Sequence, residues 1–334
     1  MSTKRRVVLH LGASKCGTTS FQAFLLHHDD QLRAKGILRP RSTLGRINDL
    51  GLGAYVGIQE KLGAYMSAHN LSRDDLGTFE TDFERRLLEE VAESDPETVI
   101  FSFEGLLRFK QAQVEKLMGL IYKISTEVHA ITVLRRHDRW AVSSYNTRLV
   151  SHGTASRDQL SNDAGHPHGI RFAQQLALWE SYVPRERFTV FAYEDHHDVL
   201  LPYMDAIDFC PAVVGTGRHN IGISAYGQEV LRKYNEIRQR DGIPSENQIH
   251  MRRCLKAILP KGKPILPSAA DVERHKKVFA TDRDQLTGNY LRADSQFFDD
   301  LTVYPEKRTE IDVSEAEVAD WVEKAAQVHP ETLA

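Results

Sequence analysis

Lysine and hydroxyl side chains crowd a short glycine-bounded stretch, Gly12-Ala13-Ser14-Lys15-Cys16-Gly17-Thr18-Thr19-Ser20. The apolar run Val7-Val8-Leu9-His10-Leu11 leads into it, and a helix-forming segment follows from Thr18. This layout suits an anion. The first N–H groups of a helix have no partner within it, and the helix dipole favours negative charge at that end. Gly12 and Gly17 permit a tight turn and a close backbone approach to phosphate. Lys15 places a positive charge inside the turn, and Thr18, Thr19 and Ser20 add hydroxyl donors. Cys16 is either a small residue that fits the turn or a thiol whose pKa the helix start lowers.

The loop departs from the ATP/GTP pattern G-x-x-x-x-G-K-[ST], in which lysine directly follows the second glycine and a hydroxyl holds Mg²⁺. Here the glycine spacing is kept, but Thr18 follows Gly17 and the lysine has moved to position 15. A nucleotide whose transferred group is held by lysine and hydroxyls without a metal suits this arrangement better. Lys15-Cys16-Gly17-Thr18-Thr19 resembles the Lys-Thr/Ser-Gly-Thr-Thr loop of sulfotransferases, which use 3′-phosphoadenosine 5′-phosphosulfate (PAPS). The resemblance implies that Lys15, Cys16, Gly17, Thr18, Thr19 and Ser20 bind the donor nucleotide, with Lys15 also catalytic and no metal required. An ordinary strand–turn–helix corner is the competing reading.

A second cationic stretch, Leu134-Arg135-Arg136-His137-Asp138, ends an apolar run and opens another helix, with Asp138 as its expected cap. Ser143 follows Arg135 by eight residues. A guanidinium at a strand tip and a hydroxyl on the next helix can grip one phosphate together. This stretch resembles the sulfotransferase 3′-phosphate site, with Arg135 and Ser143 in the matching register and Arg136 and Ser144 as the one-step shift. Phe191-Ala192-Tyr193-Glu194-Asp195 resembles the family's strand-end segment, which implies that Tyr193 contacts the adenine edge; Glu194 and Asp195 are alternatively helix caps. Arg218, before a later helix, falls where the family carries a loop over the 3′-phosphate, although the Arg-Lys-Gly pattern of cytosolic members is absent. The likeness spans roughly residues 6–300 in element order. With His10 and Gly36-Ile37-Leu38-Arg39-Pro40, its texture is closest to the bacterial sulfotransferase-like group.

An acceptor hydroxyl needs a general base. The Lys-Thr-His context of cytosolic sulfotransferases is missing. Its place is taken by Phe101-Ser102-Phe103-Glu104-Gly105, and carbohydrate-directed members use glutamate. Glu104 is thus the first candidate base and His10 the second. Each has a structural alternative: Glu104 as a cap or a partner of Arg108, His10 as a hydrogen-bonded core residue. His152, His166 and His168 show no metal-ligand spacing.

The elements that must hold these residues read as an α/β fold: a P-loop-like parallel sheet flanked by helices, with a mainly helical C-terminal portion. Arg6–Leu11, Thr98–Phe103, Val128–Leu134 and Phe188–Ala192 are short, nearly continuous apolar runs, as central parallel strands are. Phe83, Leu87, Leu88 and Val91 have helical spacing and stop at Asp95-Pro96; Val114, Leu117, Met118 and Ile121 repeat it. Such alternation implies right-handed crossovers and ligands at the carboxyl ends of the strands. After Gly217 the texture becomes helical, with Tyr226, Val230, Leu231 and Tyr234 on one stripe, Val278, Leu286 and Tyr290 in a later helix, and Leu259–Pro267 as a loop. One domain is expected, with residues 5–215 as the nucleotide-binding core and 216–334 as the helical portion. Residues 41–80 and 151–169 read as long irregular segments, either binding lids or disordered loops.

The 334 residues carry a formal charge of −3, which argues against a general nucleic-acid binder. The three cysteines, Cys16, Cys210 and Cys254, are widely spaced, as in a reducing compartment. No apolar run is long enough to span a membrane and the basic N-terminus is a poor secretory signal, so a cytoplasmic protein is expected. The acceptor is expected to be a carbohydrate, a lipid or another small molecule, and the sequence fixes neither its identity nor the oligomeric state. A Mg·ATP-dependent P-loop kinase and a non-catalytic nucleotide-binding relative are the alternative functions.

Overall fold

Five short runs pair side by side, all parallel, in the order β2-β3-β1-β4-β5: β1 (Arg6–Leu11), β2 (Ile37–Leu38), β3 (Thr98–Phe103), β4 (Glu127–Leu134) and β5 (Phe188–Ala192). The computed structural model describes residues 5–45, 47–160, 171–211, 222–298 and 304–328; Arg218, His166 and His168 lie outside them. Val8, Leu9, Ile100 and Phe101 are fully buried. That burial on both sheet faces is why the strands read as unbroken apolar runs. β2 escapes the sequence pattern because it has two residues, paired only as Ile37 with Thr98 and Leu38 with Val99.

The chain divides into two compact units. The first comprises Met1–Arg135, Ile170–Gly217 and Asp282–Asp299 and holds the whole sheet. Its helices are α1 (Thr18–His27), α2 (Asp29–Ala34), α3 (Leu50–Tyr55), α4 (Gln59–Ala68), α5 (Phe79–Ser94), α6 (Gln111–Ile124), with α8 (Phe172–Glu180) and α9 (Leu200–Ala206) following later in the chain. α5 buries Phe79, Phe83, Leu87 and Val91 and ends at Asp95, whose φ of 38° is left-handed, just before Pro96. α6 buries the expected stripe of Val114, Leu117, Met118 and Ile121.

The second unit comprises Arg136–Gly169, Arg218–Thr281 and Asp300–Ala334. It contains α7 (His137–Thr147), α10 (Ala225–Arg240), α11 (Ile249–Ile258), α12 (Ala269–Val278) and α14 (Glu315–Ala326); α13 (Ala280–Leu286) spans the join at Asp282. Its core gathers Leu149, Val230, Leu231, Tyr234, Leu255, Leu259 and Val318. Tyr226 only packs against that core from its edge. Tyr290 lies beyond α13 rather than within it.

Residues 41–80 differ from the irregular segment expected. They form α3 and α4 with short 3₁₀ turns at Arg41–Thr43 and Arg73–Gly77. The glycines that suggested a loop mark close packing instead. A Cβ on Gly51 would lie 2.6 Å from Phe83 and 2.7 Å from Tyr65, and one on Gly53 would lie 3.0 Å from Phe103.

Candidate functional site

The turn between β1 and α1 is built from its own backbone. Gly17 has φ of 87°, and Lys15 also adopts a left-handed φ of 65°. Cys16 N–H donates to Ala13 O at 3.3 Å, and the Thr18 hydroxyl donates to the same carbonyl at 2.8 Å. Thr18 is buried, so its hydroxyl straps the turn rather than facing outward; Thr19 is exposed and Ser20 half-buried. Ser20 N–H and Phe21 N–H both donate to Gly17 O. The N–H groups of Gly17, Thr18 and Thr19 have no backbone acceptor among the described residues, and no side chain caps α1. Three donors at a helix start therefore remain for an anion. Cys16 is the small residue that fits: burial pushes its thiol far above the ordinary range, against the pull of Arg135.

Arg135, at the end of β4, reaches across to this turn. Its Nη1 donates to Lys15 O at 3.0 Å, and its guanidinium lies 4.7 Å from the ring centroid of Tyr193, which follows β5. Its Nε is buried without a partner. Three of the residues singled out in the sequence, Lys15, Arg135 and Tyr193, thus meet at the carboxyl edge of the sheet. Arg136 does not join them. It grips Asp138 through Nε–Oδ1 at 2.7 Å and Nη2–Oδ2 at 2.6 Å, while the Tyr304 hydroxyl also donates to Asp138. Burial alone would raise the Asp138 carboxyl, but the Arg136 bonds and charge outweigh it and hold the group at about 2. Asp138 is therefore not the helix cap expected: it lies inside the first turn of α7, whose N-cap position is Arg136. With its guanidinium so engaged, Arg136 leaves Arg135 as the phosphate-facing candidate. Ser143 is half-buried on α7, in the second unit, and Ser144 Oγ is buried without a partner.

Glu104 follows β3 at the same edge and is half-buried. A Cβ on Gly12 would lie 2.7 Å from Glu104 Cα and 2.8 Å from Phe103 O, so the strand end and the turn are in backbone contact. Glu104 and Glu194 both lie near enough to raise the Cys16 thiol. Glu194 is thus beside the turn, a placement its sequence reading as a helix cap did not give. Asp195 accepts the Ser295 hydroxyl at 2.8 Å and Gln296 N–H at 2.6 Å, tying down that loop instead of a helix.

No family model matches the sequence, and no curated protein matches it. A solved structure does. The crystal structure of a sulfotransferase from Alicyclobacillus acidocaldarius is similar over 84% of this chain and 94% of that chain, at 15% identity and a TM-score of 0.41. A likeness of that size assigns neither family nor activity.

His10 is placed where it cannot meet an acceptor. It is fully buried, with Nδ1 2.7 Å from Ser102 Oγ and Nε2 2.9 Å from the Tyr203 hydroxyl, and its ring sits edge-on to Phe21 and Tyr203. Burial lowers its pKa to about 3. His10 is the packed, hydrogen-bonded core residue of the two readings, and Glu104 stands alone as the candidate base.

In the second unit, the described part of the expected 151–169 lid is anchored. Asn235 Nδ2 donates to Thr154 O at 2.9 Å, Gln239 to Gly153 O at 3.0 Å, and the Ser245 hydroxyl to His152 O at 3.1 Å. Residues 161–169 lie outside the described residues. Among the described residues no helix is long and apolar enough to cross a membrane, and no group of three His, Cys, Asp or Glu side chains is placed to hold a metal.

Proposed function

We propose that this chain is a PAPS-dependent sulfotransferase that moves a sulfuryl group to a hydroxyl or amine of a small-molecule or carbohydrate acceptor. One observation carries the reading: Arg135 binds the Lys15 carbonyl and stacks on Tyr193, so a cationic strand tip, a lysine turn and an aromatic face share one edge. A nucleotide with phosphates at both ends of its ribose needs that combination. The residues present fit it, since Gly17, Thr18 and Thr19 offer uncommitted N–H groups and Arg135 Nε is buried without a partner.

PAPS supplies an activated sulfuryl group, transferred by in-line displacement with charge spreading onto the equatorial and leaving oxygens; the logic is that of phosphoryl transfer, in which positioning and electrostatics dominate. In this chain the Gly17–Thr19 N–H groups, with Ser20 and Cys16 completing the turn, hold the 5′-phosphate. Lys15 neutralises charge on the leaving and transferring groups. Arg135 holds the 3′-phosphate, and Tyr193 lies against the adenine. Glu104 takes the proton from the acceptor. Lys15 stands before the second glycine rather than after it, which speaks against a Mg·ATP loop.

Incubation with ³⁵S-labelled PAPS and a panel of sugars, phenols, amines and lipids tests this. Label is expected in at least one acceptor without added metal. Glu104→Gln should abolish most of it while leaving binding of adenosine 3′,5′-bisphosphate intact. Absence of transfer to every acceptor, together with absence of bisphosphate binding, refutes the proposal.

A further inference from the structure

Past Val99, no strand among the described residues lies on the outer side of β3, because β2 stops at Leu38. Ser102 is nevertheless satisfied there. Asp49 N–H donates to Ser102 O at 2.9 Å, and Asp49 Oδ2 accepts Ser102 N–H at 2.5 Å. One residue thus supplies both halves of a missing ladder step. Asp49 is fully buried, and its Oδ1 accepts the Thr43 hydroxyl. The Ser102 hydroxyl is held in turn by His10. Ser102 is clamped on both counts two residues before Glu104, whose Cα abuts Gly12.

We propose that Asp49 is the positioning residue that fixes the carboxyl end of β3, and through it Glu104, against the glycine turn. This rests on the reading of Glu104 as the acceptor base. The grip depends on protonation, since ionising Asp49 inside the core costs desolvation that its hydrogen bonds do not offset. Burial pushes Asp49 up to about 6, against the opposing Arg39 charge and the bonds from Ser102 and Thr43, with a small push from Glu90 on α5. His10, neutral at that pH, faces Ser102 from β1. Arg39, just past β2, is itself buried; it gives Nη2 to Ile47 O at 2.6 Å and leaves Nε and Nη1 without partners. Its charge therefore opposes protonation of Asp49 without an ion pair. Once protonated, Asp49 can donate from Oδ1 to Thr43 and still accept Ser102 N–H at Oδ2, with no charge left in the core. Asp49→Asn presents that same pattern at every pH.

Two measurements on the full chain test this. Hydrogen exchange of the segment around residues 100–106, corrected for intrinsic rate, should be roughly fivefold faster at about pH 7.5 than at about pH 5 in the wild type. It should be pH-independent at the slower level in Asp49→Asn, and about tenfold faster than the wild type in Asp49→Ala. The ¹³C-carboxyl resonance of Glu104, assigned with Glu104→Gln, should show an inflection near pH 6 that Asp49→Asn removes. An unchanged exchange pattern in Asp49→Asn, or a Glu104 resonance blind to that substitution, overturns the proposal; should Asp49→Ala fail to fold, Asp49→Asn alone decides. Calorimetric titration with adenosine 3′,5′-bisphosphate separates the two readings. Loss of nucleotide binding with the exchange pattern intact would sink the sulfotransferase reading and spare the clamp.

Discussion

Arg135 is the residue on which the site turns. It joins a strand tip to the Lys15 carbonyl through Nη1 and lies against the Tyr193 ring, which leaves Nε of its planar fork for a phosphate. Lysine cannot replace that fork. Arg135→Lys should weaken adenosine 3′,5′-bisphosphate binding about tenfold to a hundredfold, by analogy with other bidentate sites, as calorimetry would read. The cysteines give a second residue-scale test. Cys210 is exposed, whereas Cys16 and Cys254 are buried, and burial raises the Cys16 thiol. Iodoacetamide under native conditions at about pH 8 should label Cys210 and spare the other two, as peptide mass spectrometry would show. Rapid labelling of Cys16 would mean that the turn is open. The sequence placed Lys15, Arg135 and Tyr193 correctly at strand ends because motif spacing survives in one dimension. It could not place Glu194 or Asp49, whose partners, the turn at 12–17 and Ser102, come from distant segments.

Elements set the precision of the turn. A Cβ on Gly12 would strike Glu104 Cα and Phe103 O, which are backbone atoms and cannot swing aside. Gly12→Ala should therefore cost about 1–3 kcal/mol in chemical denaturation, through forced separation of β1 and β3. The two ionisable groups on Ser102 give opposite pH slopes. His10 has a folded value of about 3 against 6.5 for the free group, so the unfolded chain binds more protons between those values. Its contribution is full above that window and is lost as pH falls through it. Asp49 has a folded value of about 6 against 3.8, so the folded chain binds more protons there, and its contribution falls as pH rises through that window. Relative to the wild type, Asp49→Asn should gain stability between about pH 4 and 6, by at most about 3 kcal/mol, as urea titrations across that range would record. The strands β1, β3 and β4 were legible because burial leaves a nearly unbroken apolar run, and β5, half-buried at the sheet edge, because its residues are still mostly apolar. β2 was not, since two residues carry no period. α3 and α4 were hidden because Gly51 and Gly53 read as turn formers, whereas they serve close contact with Phe83, Tyr65 and Phe103.

For the whole molecule, the parallel sheet presents all its strand ends along one edge. Lys15, Glu104, Arg135 and Tyr193 at that edge all belong to the first unit. The helical character of residues 222–328 was legible from stripes such as Val230, Leu231 and Tyr234. The grouping of residues 136–169 with them was not, because the chain crosses from a strand end into α7 without a compositional break. The most direct test is calorimetric titration of the intact chain with adenosine 3′,5′-bisphosphate in EDTA, repeated on Arg135→Ala. One site per chain should be filled without metal, with a rise in Tm at saturating ligand and most of the affinity gone in the variant. Heat and Tm unchanged by millimolar ligand, or binding that ignores the loss of Arg135, would contradict the account.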